Sequence, residues 1–229
     1  MMRSIFSRLR VNSSRVHLER INRAFAETIP PGSLVLDAAA GAQPYRPFFD
    51  HAQYEAADFE QVEKAYGPTT YVCDLRSIPV EDARFDFIIF NQGLEHMPEP
   101  GAVLSELNRV LKPGGRMICT APFFYEEHEK PYDFYRYTQF AYRYLLPNAG
   151  FEIKSLDWME GYLGTVAYQL DTAVRYLPRT IGMLLPRILF SILSIIFYRL
   201  DIQQPYKESG FPKNYAVVAE KPFAKIPSA

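Results

Sequence analysis

The sequence predicts an α/β fold: a doubly wound, mostly parallel sheet with helices on both faces. Three observations predict it. Short β-rich runs alternate with stretches of helical period, the pattern of strands joined by right-handed crossovers. Acids or an amide stand at or just after the ends of four successive runs, at Asp37, Asp58, Asp74 and Asn91. Pro30-Pro31-Gly32 and Pro113-Gly114-Gly115 punctuate the runs where elements should stop.

Residues 15–28 place Val16, Leu18, Ile21, Ala24 and Phe25 near a helical period. The runs 33–37, 53–58 and 69–73 read as the first three strands, with a short helix expected at 47–50. Residues 84–91 are apolar enough for a fourth strand buried on both faces. Residues 100–111 carry Val103, Leu104, Leu107, Val110 and Leu111 on one helix side, and 116–121 form a fifth strand. Thr138 is expected to cap a helix reaching Pro147, and 151–158 and 215–220 are the last two strands. The expected organisation is a single domain over 1–229, with a basic N-terminal arm and helix at 1–29 and a helical insertion at 159–213.

Composition sets limits. Apolar residues make up 48% of the 229, which supports a sizeable core, and a net charge of -1 removes the bulk electrostatic case for nucleic acid. Cys73 and Cys119 read as small buried hydrophobes and fit a reducing, cytoplasmic setting. Arg3, Arg8, Arg10 and Arg15 sit in an acid-free start with no apolar stretch behind them, so no secretory signal is expected.

In a doubly wound sheet, ligands sit outside the carboxyl ends of the strands. Glycine lets bare backbone approach a ligand, as at Gly41 after Asp37. Asp58, about twenty residues on, is placed to accept ribose hydroxyls. The Gly-x-Gly-x-x-Gly turn of dinucleotide sites and the Walker pattern are both missing. A cofactor without phosphates needs no phosphate cradle, and S-adenosylmethionine fits that absence.

Val35-Leu36-Asp37-Ala-Ala-Ala-Gly41 resembles motif I of the class I S-adenosylmethionine-dependent methyltransferases. The stretch from Phe85 through Asn91, Gln92, Glu95 and His96 to Pro98 resembles the fourth-strand motif of their type 11 branch, and 107–118 resembles the helix and strand that follow. The resemblance implies a Rossmann-like seven-stranded sheet with its last strand antiparallel. It also implies Asp58 on the ribose, Asp74 and Leu75 near adenine, and Gly41 near the methionine part; Asp37, Ala39, Phe59, Asn91 and Gln92 complete the expected cofactor contacts. Motif I usually carries glycines where this chain has Ala39 and Gln43.

Methyl transfer from a sulfonium is an in-line displacement, and a hydroxyl acceptor gains from a general base. His96 and His128 follow the fourth and fifth strands on the crevice side, whereas His17 and His51 are expected at the periphery. The aromatic stretch 123–138 reads as a substrate lid, with His128, Tyr132, Asp133 and Tyr135 as further catalytic candidates; it resembles a segment of type 11-like enzymes. Glu95 and His96 raise the question of a metal, but no third ligand is evident and none is expected.

Between Thr172 and Leu200 there are four arginines (175, 179, 187, 199) and no acid. Pro186 and Arg187 leave an uninterrupted apolar run shorter than the roughly 20 residues that span a bilayer. A cap on its own domain or on a second subunit of a homodimer is one expectation; an interfacial helix pair on anionic lipid is the other. The expected activity is methyl transfer to a small-molecule, sugar or lipid-linked acceptor in the cytoplasm or at a membrane surface. A silent binding module is the competing reading, and an oxidoreductase lacks its glycine fingerprint.

Overall fold

A computed structural model describes residues 13–223; the arginines expected to form the N-terminal arm, Arg3, Arg8 and Arg10, lie outside them. Among the described residues the helices are α1 (Ser13–Ala26), α2 (Pro100–Val110), α3 (Gln139–Asn148), α4 (Tyr162–Tyr176) and α5 (Leu184–Gln203). The strands are β1 (Leu34–Ala38), β2 (Gln53–Asp58), β3 (Tyr71–Val72), β4 (Phe85–Asn91), β5 (Leu111–Pro122), β6 (Glu152–Trp158) and β7 (Asn214–Glu220). They form one seven-stranded sheet in the order β3-β2-β1-β4-β5-β7-β6. The β1–β2, β1–β4, β2–β3 and β4–β5 pairs are parallel, and the last strand is antiparallel, as expected. The chain divides into two compact units, one of residues 21–157 with the strand from Tyr215 onward, the other of α1 up to Arg20 with Trp158–Asn214.

In the sheet unit, alternation along the strands sends Val35, Phe87, Ile89 and Ile118 to one face, where Phe25, Ala26, Ile29 and Phe49 cover them. Leu36, Ile88 and Phe90 point the other way and are fully buried, so β1 and β4 are apolar on both faces, as central parallel strands must be. The N-terminal end of α3 is capped by Thr138, whose hydroxyl accepts from the Ala141 N–H at 3.3 Å.

Two boundaries differ from expectation. Pro113-Gly114-Gly115 does not separate a helix from a strand: α2 ends at Val110 and β5 begins at Leu111. Phe85 pairs with Leu111 while Phe87 pairs with Arg116, so Lys112–Gly115 is a bulge inside β5. A Cβ on Gly115 would meet the Asp86 carbonyl at 2.8 Å, which is why the bulge needs glycine there. The third strand shrinks to Tyr71–Val72, a short edge strand. Cys119 is buried, but Cys73 is only half-buried, which corrects the expectation for it.

The second unit contains the stretch expected to be an insertion. Its inner side mixes apolar residues such as Ala167, Tyr168 and Val174 with buried polar ones. Asp201 is fully buried, accepts from the Gly161 N–H at 2.8 Å and pairs with His17 at 3.2 Å. His17 is therefore interior, contrary to the peripheral expectation. Glu160 accepts from the Ser14 hydroxyl and from Asn214 Nδ2 at 3.0 Å. Pro186 does not break the apolar segment, because it falls in the first turn of α5, where its missing N–H has no partner to lose. The segment Ile181–Gln203 is consequently long and apolar enough to cross a membrane by length and composition, which overturns the expectation that it is too short.

Candidate functional site

The chain leaves β1 in a turn that demands left-handed backbone. Ala39, Gly41 and Gln43 all have positive φ, at 57°, 50° and 55°. That region costs a side chain of order 1 kcal/mol or more, so glycine is the usual occupant. Here the two non-glycine residues each face a glycine elsewhere. A Cβ on Gly93 would lie 2.7 Å from the Ala39 Cβ, and a Cβ on Gly67 would lie 2.7 Å from the Gln43 side chain. Gln43 in turn donates to the Pro68 carbonyl at 2.7 Å. The glycines missing from the turn are matched by glycines on the segments that pack against it.

Asp37 sits one residue before the end of β1 on the same face as Val35. Its buried carboxyl accepts from the Tyr54 hydroxyl, and burial raises its pKa to about 7, with the Tyr54 hydrogen bond opposing. It braces the turn and does not line the crevice. Gly41 also stays off the crevice wall; its N–H donates to Asp58 Oδ2 at 2.9 Å. Asn91 spends its side chain on Asn22 and Thr120, at 2.7 and 3.0 Å.

The other six expected cofactor residues, Ala39, Asp58, Phe59, Asp74, Leu75 and Gln92, line one crevice at the carboxyl ends of the strands, together with Gly93. Its empty space, open mouth included, is about 960 Å3, within the range that holds small molecules. Asp58 ends β2 and uses one lone pair on each oxygen to accept from the Gly41 and Glu60 N–H groups. A carboxylate has further acceptor capacity, so both oxygens can still meet hydroxyls. Asp74 is held at 2.7 Å by Arg76, which keeps its carboxyl below the usual range. Leu75, Met97 and Val103 supply apolar wall beside these acids. Acids for hydroxyls and an amine, beside an apolar slot for a base, fit S-adenosylmethionine.

His96 and Tyr132 also line the crevice. His96 Nδ1 lies 2.5 Å from the Tyr132 carbonyl, which can only accept, so Nδ1 carries the proton and Nε2 holds a lone pair. Burial lowers the His96 pKa, so the ring is neutral at neutral pH. Glu95 is fully buried with neither oxygen hydrogen-bonded, and desolvation raises its pKa to about 8. His128 packs edge-on to His96, with ring centroids 4.7 Å apart, but does not reach the crevice wall. One ligating atom each of Glu95, His96 and His128 lies within 4.8 Å of the others. The sequence hid this trio because 32 positions separate its histidines. The three could hold a divalent cation only if Glu95 released the proton that its burial retains.

Asp133 and Tyr135 are not at the crevice. Asp133 is clamped by Arg136 at 2.6 and 2.8 Å and accepts from the His128 N–H, so its pKa lies well below the carboxylate range. Tyr135 donates to the Pro98 carbonyl at 3.0 Å and is exposed. Both brace the aromatic loop. Arg76 and Met97 line the crevice without having been singled out in the sequence, and Val103, expected only on the apolar side of its helix, joins them; they are ordinary helix or loop residues until the fold gathers them.

Residues 36–119 match the family described as Methyltransferase domain. The ubiquinone/menaquinone biosynthesis C-methyltransferase of Desulfotalea psychrophila is 30% identical over 158 residues, covering 63% of this chain and 62% of that protein. A demethylmenaquinone methyltransferase of Staphylococcus saprophyticus is 48% identical over 46 residues, 20% of each chain. The chain thus spans less than two thirds of the curated relatives it matches. Among solved structures, a putative methyltransferase in complex with the Trm112 activator of Haloferax volcanii aligns with TM-score 0.62, 19% identity and 92% and 90% coverage of the two chains. The Burkholderia thailandensis 1,6-didemethyltoxoflavin-N1-methyltransferase, with S-adenosylhomocysteine bound, aligns with TM-score 0.56, 17% identity and 92% and 79% coverage.

Proposed function

We propose, from the premise that residues 36–119 form a type 11-like methyltransferase domain on a class I fold, that this chain transfers a methyl group from S-adenosylmethionine to a small-molecule acceptor. The observation that carries the reading is the crevice itself, where Asp58, Asp74, Leu75 and Gly93 converge at the carboxyl ends of the strands. When bound, S-adenosylmethionine supplies an electrophilic methyl on a sulfonium. Asp58 holds the ribose hydroxyls, and Asp74 and Leu75 hold the adenine end. Phe59 and Tyr132, with ring centroids 6.3 Å apart, shield the mouth from water.

His96 is the proton acceptor for a hydroxyl acceptor group. Its Nε2 carries the lone pair, 3.8 Å from Glu95 and 3.9 Å from Glu129, and it has the fixed tautomer and the place on the crevice wall, whereas His128 lacks the last. With the cofactor bound and its methyl presented in line, a hydroxyl acceptor would pass its proton to His96 Nε2.

The silent-module reading drew on the irregular turn. Against it, Gly93 and Gly67 leave room for the Ala39 and Gln43 side chains, which supports a formed turn. The reading is tested by following labelled methyl from S-adenosylmethionine into a small-molecule extract. Labelled product from the wild type and at least about 100-fold less from His96→Gln, with cofactor binding intact in both, is expected. Absence of any product from a cofactor-bound wild type would return the silent module.

A further inference from the structure

The methyl-transfer reading leaves α5 unused, and α5 has its polarity inside out. Its buried residues are Ser194, Tyr198 and Asp201. Ser194 donates to the Ala167 carbonyl at 3.0 Å, and Asp201 holds Gly161 and His17. The opposite face carries Leu185, Leu189, Ile192, Ile196 and Leu200, all exposed and spaced by three or four residues, one continuous stripe along the helix. The stripe runs on into the α4–α5 turn, where Ile181 is 94% exposed and Tyr176 75%. Only 11% of the most apolar window of the segment is buried. A contiguous apolar face of this length marks a contact site.

Charge selects the occupant. Arg175, Arg179 and Arg199 are exposed around the stripe, and no acid lies between Asp171 and Asp201. A second copy of this chain would bring the exposed Arg175, Arg179 and Arg199 against a surface with no acid between Asp171 and Asp201 to pair them. An anionic surface suits both features. Crossing the bilayer does not, because α5 is tied to its own unit through Asp201 and a crossing would draw that carboxylate and His17 into hydrocarbon.

We propose that the α4–α5 hairpin lies in the plane of an anionic phospholipid bilayer, with the Leu185–Leu200 stripe among the acyl chains and the arginines at the phosphates. A chain held there meets acceptors that are themselves lipid-linked. The proposal does not rest on methyl transfer, since vesicle binding needs neither cofactor nor acceptor.

The test is co-sedimentation of the full chain with phosphatidylcholine vesicles, with and without phosphatidylglycerol, alongside light scattering of the free protein. Expected is a monomer that pellets with phosphatidylglycerol vesicles and binds neutral vesicles at least about ten-fold more weakly. Leu185→Ser/Leu189→Ser/Ile192→Ser should abolish pelleting while leaving the circular dichroism spectrum unchanged, since these side chains are exposed. Arg175→Glu/Arg179→Glu/Arg199→Glu should weaken it by about ten-fold or more. Failure to bind either vesicle, equal binding to both, or binding that survives the serine substitutions would overturn the proposal. So would a dimer that the serine substitutions dissociate.

Discussion

The two units of this chain solve burial in opposite ways. In the sheet unit, Val35, Leu36, Phe85, Ile88 and Phe90 are inside, and the polar groups gather at strand ends, where a ligand can use them. In the hairpin unit, Ser14, His17, Glu160, Asp201, Lys213 and Asn214 are inside beside Ala167, Tyr168, Val174 and Tyr198, and the Leu185–Leu200 stripe of α5 faces out. Interior polar groups do not draw stability from water release; they must be paired, and unpairing one is costly. The first unit therefore keeps its polar groups around a crevice, and the second combines apolar packing with a buried hydrogen-bonded network and turns an apolar stripe outward.

Substitutions can break that contrast at points of decreasing effect. His96→Gln should lower turnover about 10²- to 10⁴-fold with cofactor affinity nearly unchanged, seen as a fall in kcat at constant dissociation constant. Asp201→Ala strands the Gly161 N–H and His17 together and should cost about 3 kcal/mol in urea unfolding. Gly93→Ala overpacks the turn against Ala39 and the Phe90 ring and should cost about 2 kcal/mol; Ala39→Gly in the same chain should restore much of it. If the pair is additive, the turn and the fourth-strand segment are not coupled.

Glu95 gives a pH signature. Its folded-state pKa of about 8 lies above its ordinary 4.5, so the folded protein retains a proton that the unfolded chain loses. The stability this brings is whole below about pH 4.5 and drains away as pH rises towards 8, by up to about 1.4 kcal/mol per pH unit. Glu95→Gln should flatten the dependence of Tm on pH in that window; an unchanged slope would place the proton elsewhere. The smallest effect is expected on the stripe. Leu189→Ser should change stability by less than about 0.5 kcal/mol in buffer, and a larger loss would mean that the face is packed rather than exposed.

The fold was legible because β1, β2 and β4 announce themselves through apolar runs that end in Asp or Asn. The crevice was legible for the same reason, since strand-end residues such as Asp58 and Gln92, which line it, follow directly from the strands. Asp37 and Asn91 follow the same rule but do not line the crevice: alternation turns their side chains to the sheet face, towards Tyr54 and Asn22. What stayed hidden depends on long-range placement. Nothing local couples Gly93 to Ala39, brings His128 to Glu95, or shows that Pro186 begins a helix instead of ending one.

The most direct measurement is a calorimetric titration of the full chain with S-adenosylhomocysteine, repeated with Asp58→Ala. Saturable one-to-one binding by the wild type and a loss of about 100-fold or more in the variant are predicted, since a buried acceptor for two hydroxyls is removed. No heat from the wild type at millimolar ligand, or equal affinity in the two proteins, would contradict the assignment of this crevice to the cofactor.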